Sequence, residues 1–214
     1  MKKGYLIAIM MILFLSGCGG KKAYSYNPDE SSIFISKDGT LKSALVQKID
    51  TKAKSEELKD FANAEVEDFN KLNSANQVKL EEAGIKNDIA KVVFSYTSYE
   101  CMQEFAKFTQ DNSFDLKSLD VYKLSDADLS KMDSIKIPDG IKGDYIAVID
   151  GKADVYTDGK ITYVSNNIEF NDNTAKVDGF NYIIFKVFQQ RLTACLFKKN
   201  PHKNTCGERF LMIS

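Results

Sequence analysis

Tryptophan is absent from this chain of 214 residues, and its one histidine is His202. Hydrolases that use serine or cysteine as the nucleophile need an imidazole within hydrogen-bond reach of that nucleophile. No residue before His202 can supply this imidazole, and His202 itself lies in an atypical C-terminal tail. The composition therefore argues against this class of enzyme and leaves paired carboxylates as the catalytic alternative.

An excess of positive charge is also absent. The chain carries 29 basic and 30 acidic residues, whereas a surface that binds nucleic acid needs a marked basic excess. We therefore expect no nucleic-acid partner. Glycine-rich phosphate loops are missing as well, and the sequence predicts neither a cofactor nor a metal site.

Cysteine is sparse, so disulfides do not build this fold. Cys101 falls on a predicted short helix, where a buried, inert thiol is expected. Cys195 and Cys206 are a candidate disulfide in an oxidising compartment. Together with His202 they would supply only three of the four ligands of a structural zinc site, and we do not favour zinc.

Two further groups of side chains are candidate ligand-binding sites. Asp150, Asp154, Asp158 and Asn171–Asn173 offer oxygen ligands for calcium, but they lack the Asp-x-Asp-x-Asp-Gly spacing of a helix-loop-helix site. Turn formation explains them more simply. Six tyrosines could bind a sugar or a peptide, although packing within a sheet is the commoner role of strand tyrosines. These are Tyr24, Tyr26, Tyr96, Tyr99, Tyr156 and Tyr163.

Long apolar runs are absent except at the N-terminus. Lys2 and Lys3 precede an apolar run from Tyr5 to Leu15, which ends in Leu15-Ser16-Gly17-Cys18. A basic start, about 10 apolar residues and a small-residue exit are typical of a secretory signal. A membrane-spanning helix needs about 20 apolar residues.

The ending Leu15-Ser16-Gly17-Cys18 resembles the lipobox of bacterial lipoproteins. The resemblance implies cleavage between Gly17 and Cys18, with a diacylglyceryl group on the Cys18 sulfur. Stable anchoring takes two or more acyl chains. We therefore expect the protein to be held by lipid at the extracytoplasmic face of the cell membrane, with the membrane as a partner.

The chain divides into four parts. Residues 1–17 are the predicted signal peptide, 18–31 the lipidated cysteine and a flexible tether, and 32–186 a single α+β domain. Residues 187–214 form an atypical basic tail with a net charge of +4, whereas residues 18–186 carry −7 and no arginine. The tail is either foreign to the domain, which we favour, or a basic extension that packs on the acidic domain.

Local patterns predict two hairpins, each followed by a helix. Asp38-Gly39 and Asn87-Asp88 mark the hairpin turns, and Ser98 precedes a short helix. The longest amphipathic helix begins at Ser55, a candidate cap, and has six apolar residues on one face. These are Leu58, Phe61, Ala62, Val66, Phe69 and Leu72.

Later segments are mostly strands. Leu116–Leu124 is a strand or a helix, and a short helix starts at Ser125. Separate strands cover 144–149 and 154–156, followed by a hairpin turn at Asp158-Gly159 and a final strand at 182–186. The order predicts an α+β fold, a largely antiparallel sheet built from hairpins with two or three helices packed on it.

The domain is also similar to uncharacterised lipoproteins of Clostridia-type bacteria. The resemblance rests on Ile33–Gly39, Glu56–Phe61, Ile161–Asn167 and Tyr182–Lys186, and it implies no established activity. The favoured hypothesis is a non-catalytic domain that binds or scaffolds an unidentified envelope ligand or protein. The alternatives are a small hydrolase that cleaves envelope polymers with carboxylates, or a solute-binding accessory of a transporter.

Overall fold

The computed structural model describes residues 24–50, 52–127, 135–166 and 168–187. Within these ranges the protein has mixed α/β structure, with nine strands in one mostly antiparallel sheet and two helices. In chain order the elements are β1 (Ser32–Ile35), β2 (Leu41–Lys48), α1 (Ser55–Leu72), β3 (Val78–Lys86), β4 (Ile89–Tyr96), α2 (Tyr99–Thr109), β5 (Asp115–Lys123), β6 (Tyr145–Thr157), β7 (Lys160–Val164), β8 (Phe170–Asn171) and β9 (Thr174–Lys186).

The sheet runs in the order β3-β4-β2-β1-β6-β9-β7, with β5 paired to β6 and β8 paired to β9. Both predicted early hairpins are present: β1 pairs with β2, and β3 pairs with β4. Asn87 and Asp88 have positive φ, as the tight turn between β3 and β4 requires. The β1–β6 pair is parallel and joins the N-terminal hairpins to the later strands.

The segment predicted at Leu116–Leu124 as a strand or a helix is a strand, β5, which ends at Lys123. The two strands predicted at 144–149 and 154–156 are one continuous strand, β6. Where a helix was predicted from Ser125, the described residues Leu124–Asp126 form a turn. The rest of that predicted helix lies outside the described residues.

The predicted hairpin at Asp158-Gly159 is wrong, because β6 and β7 lie on opposite sides of β9. A straight strand of 13 residues would be about 40 Å long, and two residues cannot cross that length. The β6–β9 ribbon therefore coils, so that Lys160 pairs with Lys186 at the far end of β9. Gly151 and Gly179, paired across the ribbon, both have positive φ at the bend.

Both helices pack on one face of the sheet. Phe105 of α2 lies 5.0 Å from Phe94 and 5.2 Å from Phe69 of α1, measured between ring centroids. The same apolar cluster contains the fully buried Ile33 and Val155 of the sheet. The hydrophobic core is therefore between the helices and the sheet, as the α+β prediction expects.

The face of α1 differs from its sequence pattern. Ala62, Val66 and Phe69 are buried, but Phe61 is 63% exposed and Leu72 is 72% exposed. These two positions lie about 80–100° around the helix from the centre of the buried stripe, at 100° per residue. The prediction that all six apolar residues face the core is thus wrong at both positions.

Ser55 is not the helix cap, since Lys54 occupies that position and Ser55 is the first helical residue. Its hydroxyl instead accepts from the Ile85 N–H at 2.8 Å and donates to the Ile85 carbonyl at 3.2 Å. Asn70, near the other end of α1, accepts from the Val78 N–H and donates to the Val78 carbonyl. Two α1 side chains thus satisfy backbone groups on the outer edge of β3, which protects this edge strand from pairing with another chain.

The face opposite the helices has two coverings. Residues 135–143 pack on it, with Ile135, Ile146 and Ile184 in a second apolar cluster. Residues 24–31, which we call the N-terminal strap, cross it from β9 towards β4. Tyr24 donates to Asp172 at 2.6 Å, and Asn27 contacts Lys91.

These contacts differ from the expectation of a flexible tether over residues 18–31, because the strap lies on the sheet. Pro28 in the strap is buried, and Ser31 both accepts from the Val46 N–H and donates to its carbonyl. Residues 18–23 of the predicted tether lie outside the described part of the chain. None of the described helices is long and apolar enough to cross a membrane.

Candidate functional site

An open groove of about 630 Å³ lies on the strap side of the sheet. Its walls come from the strap, the end of β6, β8 and the start of β9, with Asp154, Tyr156 and Lys176 on the strands. Strand side chains alternate between faces. Asp154 and Tyr156 therefore point away from the core that contains Val155.

Negative charge dominates the groove. Asp29 and Glu30 come from the strap, Asp154 from β6 and Glu169 from the residue before β8, whereas Lys176 is the one basic residue among the lining residues. Opposite charges attract most strongly where water is partly excluded. This arrangement favours a positively charged ligand.

Two aromatic side chains border these carboxylates. Phe170 of β8 is 49% exposed, and Tyr156 is half-buried. Burial raises the pKa of Tyr156, and the nearby carboxylates of Asp154, Asp29 and Glu30 raise it further. Tyr156 thus keeps its phenolic proton and can donate a hydrogen bond at neutral pH.

Tyr26 supports Tyr156 from the strap. Its ring centroid lies 5.5 Å from that of Tyr156, edge to face, and 5.3 Å from that of Phe34. Its hydroxyl donates to the Ser32 carbonyl at 2.7 Å, and burial raises the pKa of Tyr26. The strap therefore forms part of the groove as well as a cover for the sheet.

Tyr24, the first residue of the strap, binds the β8–β9 turn through its hydroxyl. Burial, followed by the hydrogen bond to Asp172 and the negative charge of that residue, raises the pKa of Tyr24 to about 12. Asp172, which the sequence offered as a calcium ligand, is thus an acceptor for a tyrosine. Asp150 pairs with Lys117 at 3.7 Å.

Asp158 was another of the candidate calcium ligands. Its Oδ2 accepts from the Ser36 hydroxyl at 3.2 Å and from the Lys37 N–H at 3.1 Å. No group of three or more histidine, cysteine or acidic side chains that could hold a metal ion occurs within the described ranges.

The six candidate tyrosines separate into two sets. Tyr96 and Tyr99 are buried in the core, and Tyr163 packs beside Tyr182 at 5.9 Å, so these three belong to packing. Tyr24, Tyr26 and Tyr156 meet at the groove and the strap. The sequence did not single out Glu169, Phe170 or Lys176, because segments distant along the chain assemble the groove.

The predicted buried thiol is present at Cys101. Its Sγ contacts the Gln77 carbonyl at 3.4 Å, and burial raises the pKa of the thiol. The candidate lipidation and cleavage residues Cys18 and Gly17, and the candidate disulfide Cys195–Cys206, lie outside the described residues.

Carboxylic acids with raised pKa are the feature that would favour a hydrolase. Among the described residues, burial raises the pKa of Glu65 and Asp158. Glu65 has Asp111 nearby, and Asp111 lines a cavity of only about 50 Å³, which has room for a few water molecules. Neither raised carboxyl lines the acidic groove.

No protein-family model matches the chain, and no similar protein is found among curated proteins or solved structures.

Proposed function

We propose that this protein is a lipid-anchored lipoprotein of the cell envelope whose domain binds a ligand without catalysing a reaction. The observation that carries the proposal is the N-terminal pattern of Lys2-Lys3, a short apolar run and Leu15-Ser16-Gly17-Cys18. The cysteine is the attachment point for lipid, and the domain behind it lies outside the cytoplasmic membrane.

Replacing Cys18 with alanine tests the anchor. We expect the wild-type protein in the membrane pellet, with a mass at the N-terminus that corresponds to a lipid-modified Cys18. The Cys18→Ala variant carries no lipid, so molecules from which the signal has been removed should leave the pellet. Molecules that retain the apolar signal stay in the pellet and are recognised by their mass. Cys101→Ala is the matched control, because it removes a thiol at a buried position and should leave membrane partition unchanged. Equal pelleting of signal-processed Cys18→Ala and wild type, or a wild-type Cys18 that carries no lipid, would contradict the anchor.

The acidic groove is the proposed binding surface. Its four carboxylates and two aromatic rings are complementary to an extended ligand with amino groups, such as a lysine-containing peptide. The groove is open along the surface and partly apolar, so binding needs no conformational change of the sheet. The predicted scaffolding role fits the same surface.

Titration of the detergent-extracted protein with a short oligolysine peptide tests this surface. We expect the double variant Asp154→Asn, Glu169→Gln to weaken binding by about tenfold, equivalent to about 1.4 kcal/mol, and added salt to weaken it in the wild type. Asp178→Asn with Glu67→Gln is the matched control, because it removes the same charge from surface positions paired with Lys152 and Lys71. Equal loss in both double variants would contradict a specific groove.

A further inference from the structure

The strap contacts fix one end of the path between the domain and Cys18. Tyr24 donates a hydrogen bond to Asp172 at the β8–β9 turn, and Tyr26 packs on Phe34 and Tyr156. Pro28 is buried in the same strap. The chain is therefore held to the domain from Tyr24 onward.

Only five residues, 19–23, separate Cys18 from Tyr24. Each residue advances a fully extended chain by at most about 3.6 Å, so the Cα atoms of these two residues, six steps apart, can be no more than about 22 Å from each other. This limit depends only on the number of residues and on the strap contacts.

We infer that this short connection holds the strap face of the domain towards the bilayer, with helices α1 and α2 on the far side. The inference rests on the proposed lipid anchor at Cys18. The β8–β9 turn and the acidic groove then lie near the outer leaflet, because Asn171 and Thr174 flank that turn and line the groove. The helices pack on the opposite face of the sheet, about 10 Å farther from the headgroups.

Charge decides how closely this face approaches. Asp29, Glu30, Asp154 and Glu169 are repelled by anionic headgroups, and so the face stands off from the surface and does not insert. Lys21 and Lys22 lie between it and Cys18 in the sequence. The groove therefore opens into a thin aqueous layer beside the bilayer, and its ligand has to be accessible in that layer.

Two exposed phenylalanines provide a matched pair of probe sites. Phe170 lines the groove and is 49% exposed, whereas Phe61 lies on α1 and is 63% exposed. A dye is attached to p-azidophenylalanine introduced at either position, which leaves every cysteine in place. The full lipidated chain is reconstituted into phosphatidylcholine vesicles that contain a headgroup-labelled acceptor lipid.

We expect energy transfer from position 170 to exceed that from position 61. Inserting about 20 glycine and serine residues after Lys22 lengthens the connection; it should lower transfer from position 170 and remove most of the difference. Equal transfer from both sites, or greater transfer from position 61, would overturn the orientation while leaving the anchor intact. Vesicle binding by signal-processed Cys18→Ala as strong as that of the wild type would instead overturn the anchor, and the orientation with it.

Discussion

At the scale of single residues, burial destabilises the charged form of the Asp158 carboxyl. Its Oδ2 accepts two hydrogen bonds from the β1–β2 turn, but its Oδ1 is buried and has no hydrogen-bond partner among the described residues. Burial raises the pKa of this carboxyl, although the Lys37 N–H and the Ser36 hydroxyl partly offset the rise. The charged form is therefore less favourable in the folded protein than in the unfolded chain.

Linkage gives the sign of the resulting pH dependence. A raised pKa in the folded state adds stability that is fully present below the unfolded pKa, about 4 for aspartate. This stability is lost as the pH rises through the folded pKa. Asp158→Asn removes the ionisation, so the variant should gain stability relative to the wild type as the pH increases from acidic to neutral. Urea unfolding across that range measures the difference.

Asp38 is the matched control, since it lies in the neighbouring β1–β2 turn. Burial acts to raise its pKa, but the Thr40 N–H, at 3.0 Å from Oδ1, and nearby hydroxyls bring the pKa below its usual value. Asp38→Asn should therefore lose stability relative to the wild type as the pH rises. The same sign of pH dependence in both variants would contradict this assignment.

At the scale of elements, the sequence predicted what local chemistry specifies. Asp38-Gly39 and Asn87-Asp88 form the turns of the two predicted hairpins. Ser98 caps α2, because its side chain accepts a hydrogen bond from the Cys101 N–H. The width of the buried face of α1 could not be predicted in this way, since it depends on how much of the helix the sheet covers. Periodicity alone placed Phe61 and Leu72 with Phe69, although their side chains lie beyond the covered stripe.

The position of β7 shows a second limit of local patterns. A turn sequence at Asp158-Gly159 says that the chain changes direction, but it does not say which strand becomes the neighbour. That choice follows from the coiling of the β6–β9 ribbon around Gly151 and Gly179, residues far apart in the chain. The groove was not predicted for the same reason, because the strap, β6 and β8 are far apart in the sequence and only the fold brings them together.

At the scale of the whole molecule, the sheet joins both ends of the domain. β1 pairs in parallel with the end of β6, and β9 pairs with β6 over most of its length. Ile183, Ile184 and Phe185 near the end of β9 are fully buried. The described part of the chain should therefore unfold cooperatively, and its C-terminal boundary can be tested by truncation.

The last described backbone contact comes from Val187, whose N–H donates to Asp144 at 3.0 Å. The tail was predicted to begin at Val187, but this contact places Val187 with the domain. If the rest of the tail, residues 188–214, is foreign to the domain, a chain that ends at Val187 should keep its free energy of unfolding within about 0.5 kcal/mol of the full chain. A chain that ends at Tyr182 is the comparison; it loses three buried apolar side chains at about 2–5 kcal/mol each and should not fold. If the basic tail packs on the acidic domain instead, removing it lowers stability by more than this, and the loss shrinks as salt screens the opposite charges. Urea unfolding of both chains at low and high salt separates the two outcomes, because a foreign tail predicts no difference at either salt concentration.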